Sequence, residues 1–552
     1  MHPRDLPRVA LPFALAASCA FASPDDPLPD VPARPDITDA TAAADITDVP
    51  ARPDITDVPA RPDITDATAA PDITDVPARP DLIDVPAPPD VIGVPAPPDI
   101  TDVSARPDIV DVPPRPDVTD APAPQRAPFV LSGASLDEGT AVAFDPIGHL
   151  ALGAQFNAPV TVGPRSVTPL GGSDALVVSL DADGAVRWSQ RVGSTGADTV
   201  SSVAVDSAGN VYACGTVGAQ ATVGTTTVRP PDGAPDGWVA SWSRDGVFRW
   251  AVALTGAGSQ QPLRVSSEIS GSLWVAGTYD TSLSTTGASG SSRGGTDVFL
   301  LRLDAGSGAA NLSRFFGTAA EESFGGLAAR AGRGIAVGIN HSGGLPVGST
   351  TVTAAGQTDG TVARYDVNGT YLGHFNVSSP SADQVTAVAL DDTGAACAAG
   401  TSFASEVSVG PARVSLGFAD AFVGCVTLDL TARFPLPIAA SDPLGSVERV
   451  RALATSADGS LWIAGDTGAA TLSLGPRTAM GPRMTAGFVA RVDRSGTALA
   501  LEIASAPSTF AGVAASDGAW AVAGSFDARG SFGGYAFPAP VGRDAFVARV
   551  PR

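Results

Sequence analysis

From about residue 127 to the last residue, the chain repeats one unit at an almost constant interval. Each copy has a Gly at the end of its first half, and these anchors are Gly153, Gly215, Gly277, Gly338, Gly400, Gly465 and Gly524. Their spacings of 62, 62, 61, 62, 65 and 59 residues define seven copies. A second anchor is an Asp before an apolar run: Asp174, Asp236, Asp297, Asp359, Asp420 and Asp544, with Ala486 in the sixth copy. Such a long period favours a solenoid or a propeller over one irregular domain.

Each copy contains four predicted strands. In the second copy they are VSSVAVD, NVYACGTV, GWVASWS and VFRWAVAL, which are rich in Val, Trp and Ala. Turn sequences such as Asp206–Gly209 and Arg244–Gly246 separate them. Because no 3.6-residue apolar period interrupts this pattern, we expect an all-β fold. Four antiparallel strands repeated seven times predict a seven-bladed β-propeller over residues 127–552.

The two ends of the repeat array predict how the ring closes. The seventh copy ends directly after its third strand, whereas residues 127–133, APFVLSG, resemble the fourth strands of the first and second copies. A ring must also protect its terminal sheet edges. We therefore expect the N-terminal strand to complete the seventh blade.

The units resemble a known family. AVDSAGNVYACGT and the GG(S/T)DAxV segments are similar to the SBBP repeats of bacterial seven-bladed propellers, which are common in secreted proteins. The resemblance covers roughly residues 127–552 and implies the fold, but it brings no catalytic residues. The fourth copy, with Thr361, and the sixth, with Ala486, depart most from the pattern.

The first 22 residues predict a secretory signal peptide, with Arg4 and Arg8 before a short apolar core. Two processing hypotheses remain open. Ala20-Phe21-Ala22 fits release before Ser23, whereas Leu15–Cys19 resembles a degenerate lipobox in which Cys19 would be lipidated. The protein is therefore expected to be exported, either as a lipoprotein of the outer membrane or cell surface or as an extracellular protein.

Residues 23–126 form a linker of different composition. Within it, residues 30–119 repeat nine-residue units such as DVPARPDIT ten times. Pro at two or three of nine positions excludes helix and central strand, so we expect a disordered, semi-stiff stalk without a core. The linker has 22 Asp and 7 Arg, a net charge of −15, and self-repulsion favours extension.

Charge and missing residue types exclude several functions. The chain has net charge −23 and contains no Lys, so nucleic acid is not an expected partner, and a membrane is expected only through a lipid on Cys19. No catalytic constellation, cofactor motif or zinc spacing is present. His149, His341 and His374 are interpreted as turn or surface residues, and we expect no catalytic, cofactor-binding or metal-binding residues.

Two further patterns concern the repeated Asp residues and the cysteines. Turns that begin at Asp181, Asp366 and Asp391 look like calcium loops, but they lack the later ligands of such loops, so we interpret them as turns. The Asp before each third strand is interpreted as a tie for a hairpin end. Cys397 and Cys425 lie on neighbouring predicted strands and are a candidate disulfide, although we interpret their positions as differently oriented from a comparison with the other copies. Cys214 is expected to be a small buried side chain.

These observations predict a monomeric, non-enzymatic binding or scaffolding module whose partner is a protein or a polysaccharide. The alternatives are a propeller lyase or hydrolase acting on polysaccharide, which would need carboxylates at the central opening, and a stalk that acts as a structural spacer. Turns from all blades converge at the central opening of a propeller, so we expect binding there. The one longer connection, PLPIAASDPLGSVERV, is the first place where we expect a special contact.

Overall fold

A computed structural model of the protein describes residues 128–551 apart from 269–270, 418–419 and 441–447. The predicted signal peptide, Cys19, the stalk and the centre of the longer connection lie outside the described residues. The described residues form only strands, turns and loops. Accordingly, none of them belongs to a helix that could cross a membrane.

The described strands fall into seven consecutive sets that follow an N-terminal strand, β1 (Phe129–Leu131). Blade one has β2 (Asp137–Phe144), β3 (Leu150–Phe156), β4 (Val160–Val162), β5 (Arg165–Val167), β6 (Asp174–Leu180) and β7 (Val186–Val192). Blade two has β8 (Ser202–Val205), β9 (Val211–Val217), β10 (Ala221–Val223), β11 (Thr226–Val228), β12 (Asp236–Trp242) and β13 (Phe248–Leu254). Blade three has β14 (Gln260–Ser267), β15 (Ser272–Tyr279), β16 (Ser282–Thr285), β17 (Ala288–Ser291), β18 (Asp297–Asp304) and β19 (Ala310–Phe316).

The remaining four blades follow the same order. Blade four has β20 (Ser323–Arg330), β21 (Gly334–His341), β22 (Gly344–Val347), β23 (Thr350–Thr353), β24 (Asp359–Tyr365) and β25 (Tyr371–Ser378). Blade five has β26 (Asp383–Leu390), β27 (Ala396–Ser402), β28 (Glu406–Val409), β29 (Ala412–Ser415), β30 (Ala421–Val426) and β31 (Ala432–Ala440). Blade six has β32 (Arg449–Thr455), β33 (Leu461–Thr467), β34 (Thr471–Leu474), β35 (Arg477–Met480), β36 (Ala486–Val492) and β37 (Ala498–Ile503). Blade seven has β38 (Ser508–Ala515), β39 (Ala519–Phe526), β40 (Gly530–Phe532), β41 (Tyr535–Phe537) and β42 (Asp544–Pro551).

Each blade is a four-stranded antiparallel sheet, which confirms the predicted seven-bladed propeller. The first strand of each blade lies innermost, and each inner strand contacts the inner strands of its two neighbours around the whole ring. In blade seven the sheet order is β1-β42-β39-β38, and Val130 pairs with Phe546. The N-terminal strand thus supplies the missing fourth strand, as predicted.

Every copy also contains a two-stranded hairpin that the sequence analysis did not predict. It lies between the second and third strands, as β4-β5 does in blade one. The hairpins reach the outer strand of the preceding blade, and the hairpins of blades five and six extend the sheets of blades four and five to six strands. The sequence signal is weak, because each hairpin strand has only three or four residues around a Gly with positive φ, such as Gly163 or Gly224.

In blades three, five, six and seven, the anchor Gly pairs with the inner-strand residue that directly precedes a β-bulge. The pairing register between first and second strands shifts at this level, for example between Val450 and Ala452. A Cβ on Gly465 would lie 2.0 Å from the Arg449 carbonyl oxygen, and one on Gly400 would lie 1.7 Å from that of Gln384. Only Gly allows the two backbones to approach so closely.

Aromatic side chains pack between blades, as predicted. Trp462 of blade six stacks on Trp520 of blade seven at 4.8 Å between ring centroids. The Nε1 of Trp188 donates to the Arg244 carbonyl of the next blade at 2.9 Å. These contacts bury apolar area and join neighbouring blades.

The candidate cysteines form a disulfide in the structure, with 4.0 Å between their Cα atoms. Cys397 and Cys425 are direct register partners on β27 and β30, so the interpretation that their positions are differently oriented is wrong. The equivalent cross-strand pair in blade six is Trp462 and Arg491, whose guanidinium lies 5.2 Å from the indole centroid. Cys214 is buried, as predicted.

Removal of the closing strand should open the ring. Deletion of residues 128–133 exposes the edge of β42, and Leu131→Ala alone should cost about 2–5 kcal/mol because its side chain is fully buried. Urea denaturation of the exported protein measures both effects. Deletion of one stalk unit, residues 111–119, is the matched control and should leave the midpoint unchanged; equal midpoints for both deletions would contradict the closure.

Loss of the disulfide should destabilise blade five. The bridge closes a segment whose ends are 28 residues apart, and the double variant Cys397→Ala/Cys425→Ala should lose about 3 kcal/mol of unfolding free energy. Alkylation in denaturant without reductant should label Cys214 and neither of the other two. Quantitative labelling of Cys397 and Cys425 under those conditions would show that the bridge is absent.

Candidate functional site

The seven inner strands surround a central channel with a cavity of about 290 Å³. All seven blades contribute to its wall, which includes a collar of aliphatic side chains from β2, β8, β14, β20, β26, β32 and β38. At the end of β20, Arg330 donates from Nη1 to the Thr455 hydroxyl at 2.8 Å and to the Leu390 carbonyl at 3.3 Å. Arg330 thereby links blades four, five and six beside the channel.

A wider cavity of about 520 Å³ adjoins the channel at the end where the inner strands begin. We call this cavity the mouth. It is lined by Thr140, Ser201, Arg264, Gln384, Thr386, Thr401, Phe403, Arg449, Val450, Arg451 and Ala511, which come from six of the seven blades. Its volume falls within the range of about 300–1,000 Å³ that is typical of small-molecule sites.

The bulges place these side chains. Thr140, Thr386, Arg451 and Ala511 are the extra residues at the register shifts of their inner strands, and all four line the mouth. A bulge re-aims a side chain that regular pairing would direct elsewhere. In blades five, six and seven, the anchor Gly lies opposite the bulge that places a mouth residue, whereas Ala154 holds this position in blade one.

Positive charge dominates the mouth. Arg451 donates from Nε to the buried Asp466 carboxylate, and Arg449 Nη1 lies 4.0 Å from the same carboxylate. Arg264 lines both the mouth and the channel, and its guanidinium forms no hydrogen bond or ion pair with the residues that the structure describes. Burial lowers the pKa of Arg264 from its ordinary value. The residues that line the mouth and the channel, within the described part of the chain, include no Asp or Glu.

Buried polar residues meet at each blade junction. At six junctions, the backbone N–H of a residue at the start of an inner strand, or up to four residues before it, donates to the carbonyl of the residue before the third strand of the previous blade, as Asp198 does to Ser173 at 2.7 Å. The two flanking side chains then lie together. The pairs are Asp544/Asp137, Asp174/Asp198, Asp236/Gln260, Asp297/Glu322, Asp359/Asp383, Asp420/Glu448 and Ala486/Ser508, and all of these residues are buried. The recurrent Asp also accepts from its own hairpin end, as predicted, for example Asp359 from the Ala355 N–H at 2.6 Å.

Burial changes the acidity of these carboxyls. Burial is the main reason that the pKa of Asp137 rises to about 7; the Gly133 backbone opposes this rise, and the neighbouring Asp544 contributes to it. Burial likewise raises the pKa of Asp236 to about 7, with a contribution from Asp232. At the junction of blades six and seven, Ala486 and Ser508 stand in place of the two acids. There the Ser508 hydroxyl accepts from the Gly487 N–H at 3.0 Å. The pairs therefore act as structural units of the ring and not as exposed catalytic acids.

The calcium-like turns are ordinary Asx turns. Asp181 accepts from the N–H groups of Asp183 and Ala185, and Asp391 accepts from those of Thr393 and Ala395. Among the described residues there is no group of three or more His, Cys, Asp or Glu that could hold a metal ion.

The histidines differ in their surroundings. His149 follows a turn, and its Nδ1 lies 3.1 Å from the Asp145 carboxylate. The Nδ1 of His374 shares a hydrogen bond with the Tyr371 hydroxyl at 2.6 Å. The prediction that His341 is a turn or surface residue is wrong, because His341 is buried within β21. Its ring bonds to Gly343 and to Thr361, so the polar Thr361 of the fourth copy belongs to a buried network.

The sequence analysis missed most of the mouth residues. Only Arg449 and Val450 belong to the longer connection that it singled out, and the centre of that connection lies outside the described residues. Arg264 and Arg451 could have been found by aligning the copies at the residues that precede each anchor Gly. In that alignment, Arg264 stands where the other copies carry small residues, and Arg451 stands where the other copies carry uncharged residues.

One family model matches the chain. Residues 187–216, which run from β7 to β9, match the model described as SBBP, a β-propeller repeat. The resemblance found in the sequence is therefore confirmed for the repeat and for the seven-bladed arrangement. A search of curated proteins finds no match.

Solved structures match the chain at low identity. BamB from Moraxella catarrhalis is 10% identical over 77% of this chain and 99% of its own, with a TM-score of 0.34. Puromycin hydrolase is 14% identical over 76% and 56% with a TM-score of 0.36, and quinohemoprotein alcohol dehydrogenase from Comamonas testosteroni is 11% identical over 77% and 78% with a TM-score of 0.30. At these values we transfer no activity or partner to this chain.

The junction acids make stability depend on pH. The Asp137 carboxyl, whose pKa rises from its ordinary value of 3.8 to about 7 in the folded protein, holds its proton to a higher pH in the folded state than in the unfolded state. Stability is therefore fully present below pH 4 and falls as the pH rises toward 7. Asp137→Asn should be more stable than the natural protein at pH 8, on the order of 2–4 kcal/mol, and similar to it at pH 4.

Urea denaturation at several pH values tests this expectation. The charged groups around Asp137 are Asp544 and, on the flanking residues, Arg543 and Glu138, which pair with each other at 3.0 Å. Glu321→Gln, which removes an exposed carboxylate outside the junction pairs, is the control. An Asp137→Asn profile parallel to that of the natural protein would contradict the assignment.

Proposed function

We propose, from the premise that the chain is a seven-bladed β-propeller with an SBBP repeat, that it is a non-enzymatic binding or scaffolding module that takes its ligand at the mouth. The single observation that carries the proposal is the composition of the mouth. Three Arg side chains, several hydroxyls and an amide converge there from five blades, and no described lining residue is acidic. Such convergence of polar groups in a concave site favours ligand binding.

The location of the module is part of the proposal. The signal sequence of residues 1–22 supports export, and the stalk of residues 23–126 would separate the propeller from its point of attachment. Either Cys19 carries a lipid at the cell envelope, or the chain is released with Ser23 first. The intact mass of the exported protein distinguishes the two hypotheses.

The enzymatic alternative needs groups that the described mouth does not supply. Glycoside hydrolysis uses two carboxyl groups that flank the scissile bond, whereas the described lining of the mouth includes no Asp or Glu. A glycoside hydrolase acting at the mouth would therefore need carboxyl groups from beyond this lining. The test of the proposal measures binding and turnover together for this reason.

A substitution that fills the mouth should abolish binding. Ala511 lines the mouth and is partly exposed, so Ala511→Trp inserts a large side chain without removing a polar group. Val247 is 65% exposed after a turn at the opposite end of its blade, and Val247→Trp is the matched control. We expect saturable binding of acidic polysaccharides from the envelope for the natural protein and for Val247→Trp but not for Ala511→Trp.

The same reactions should be followed for new reducing ends and for unsaturated sugar products. If the natural protein turns over the polysaccharide and Ala511→Trp does not, the protein is an enzyme and the proposal of a non-enzymatic binding module is wrong. Equal binding by all three proteins would place the ligand away from the mouth and refute the proposal.

A further inference from the structure

One ring of equivalent positions distinguishes a single blade from the other six. In six blades this position directly follows the bulge of the inner strand, and in blade two it is Ser202 at the start of β8, where the described pairing shows no bulge. All seven positions line the channel. In order around the ring these residues are Ala141, Ser202, Arg264, Gly326, Ala387, Ala452 and Gly512. Six blades therefore hold a side chain no larger than Ser, and one holds Arg. The fold does not require a large or charged residue at this position.

Arg264 keeps its charge without a protein counter-ion. Asp466, the carboxylate nearest to the other mouth arginines, is engaged by Arg451 and Arg449. The ionisable group that interacts with Arg264 is the Cys214 thiol, whose pKa burial raises to about 12, so it is neutral at pH 7. Arg264 is only partly exposed, and a partly desolvated cation without a described partner costs free energy. A bound anion would reduce that cost.

The groups around Arg264 indicate the chemistry of the anion. The Arg guanidinium is a planar fork that matches a carboxylate. The Thr386 and Thr401 hydroxyls donate to the carbonyls of Val450 and Glu448, which leaves their oxygens as acceptors toward the mouth. Gln384 is exposed, and Phe403 is 41% exposed at the same cavity. The threonine hydroxyls and the Gln384 amide can bond to the hydroxyls of a sugar, and the Phe403 ring can pack against its apolar face. Together with a cation for a carboxylate, these groups suit an acidic sugar.

We propose that the mouth binds the carboxylate of a uronic acid, with Arg264 as its direct contact. This inference rests on the proposed function, because it assigns a ligand class to the same mouth. The carboxylate belongs either to a free sugar acid or to a residue of a glycan. Arg449, Gln384 and the threonine hydroxyls line the same cavity, and the proposal assigns them to the sugar hydroxyls.

The chain itself supplies a conservative test variant. Arg264→Ala installs the residue that three other blades carry at the equivalent position, so the ring should remain folded with an unchanged or higher urea midpoint. Arg413→Ala is the control, because Arg413 lies on the outer hairpin of blade five with its side chain 72% exposed. Isothermal titration of the exported protein uses D-galacturonate, a galacturonate trimer, D-galactose and inorganic phosphate as probes.

We expect galacturonate to bind the natural protein and Arg413→Ala, and Arg264→Ala to bind it about tenfold to a hundredfold more weakly, the loss of a charged hydrogen bond. Tighter binding of the trimer identifies a glycan as the source of the carboxylate, and equal binding identifies the free sugar acid. Equal affinity of Arg264→Ala and the natural protein, or binding of phosphate without galacturonate, overturns the inference.

Failure of this inference is distinguishable from failure of the proposed function. If Ala511→Trp loses polysaccharide binding while Arg264→Ala retains it, the mouth is the binding site and the carboxylate contact is wrong. If both variants retain binding, the assignment of the binding site to the mouth is wrong.

Discussion

The pairing of β1 with β42 is the interaction on which the rest of the structure depends. It joins segments that lie about 400 residues apart, and it is reinforced by Arg543, which pairs with Glu138 across the seam and with Asp527 in its own blade. Closing so long a segment costs conformational entropy, but the cost grows only slowly with length. Closure removes two sheet edges that would otherwise template aggregation. It also creates the mouth, because residues from blades one, two and seven meet those of blades three, five and six only in a complete ring.

Within the closed ring, the blade junctions repeat one backbone hydrogen bond and one pair of buried side chains. Five of the seven pairs contain two acids, which is an unfavourable arrangement when both are ionised. A protonated carboxyl can donate as well as accept, so one retained proton allows the pair to be satisfied internally. The junction of blades six and seven supports the interpretation that the two residues of a pair form one unit. Neither of its two positions carries an acid, because they hold Ala486 and Ser508. The stability of the ring is thereby linked to its protonation.

The sequence predicted features whose signals are local. The blade number follows from the spacing of anchor glycines, the turns from Asp and Gly positions, and the closing strand from the incomplete seventh copy. The added hairpins were missed because strands such as Val160–Val162 are too short to show a period. The facing of Cys397 and Cys425 was missed because it depends on the pairing register of two strands, which no single strand reveals. The mouth was missed for a third reason, since Arg264 and Arg451 meet only after the ring closes.

Sevenfold repetition separates what the fold needs from what a ligand needs. A residue that serves the fold recurs, as the anchor Gly does at Gly400 and Gly465, where a Cβ would collide with backbone. A residue that occurs in one of seven equivalent environments, and costs free energy there, serves something else. Arg264 meets both conditions, because its counterparts are small and its charge has no described protein partner. An asymmetric ligand can be oriented in a symmetric ring only by such departures, so the side chains that break the repeat at the mouth are the ones that would determine what it binds.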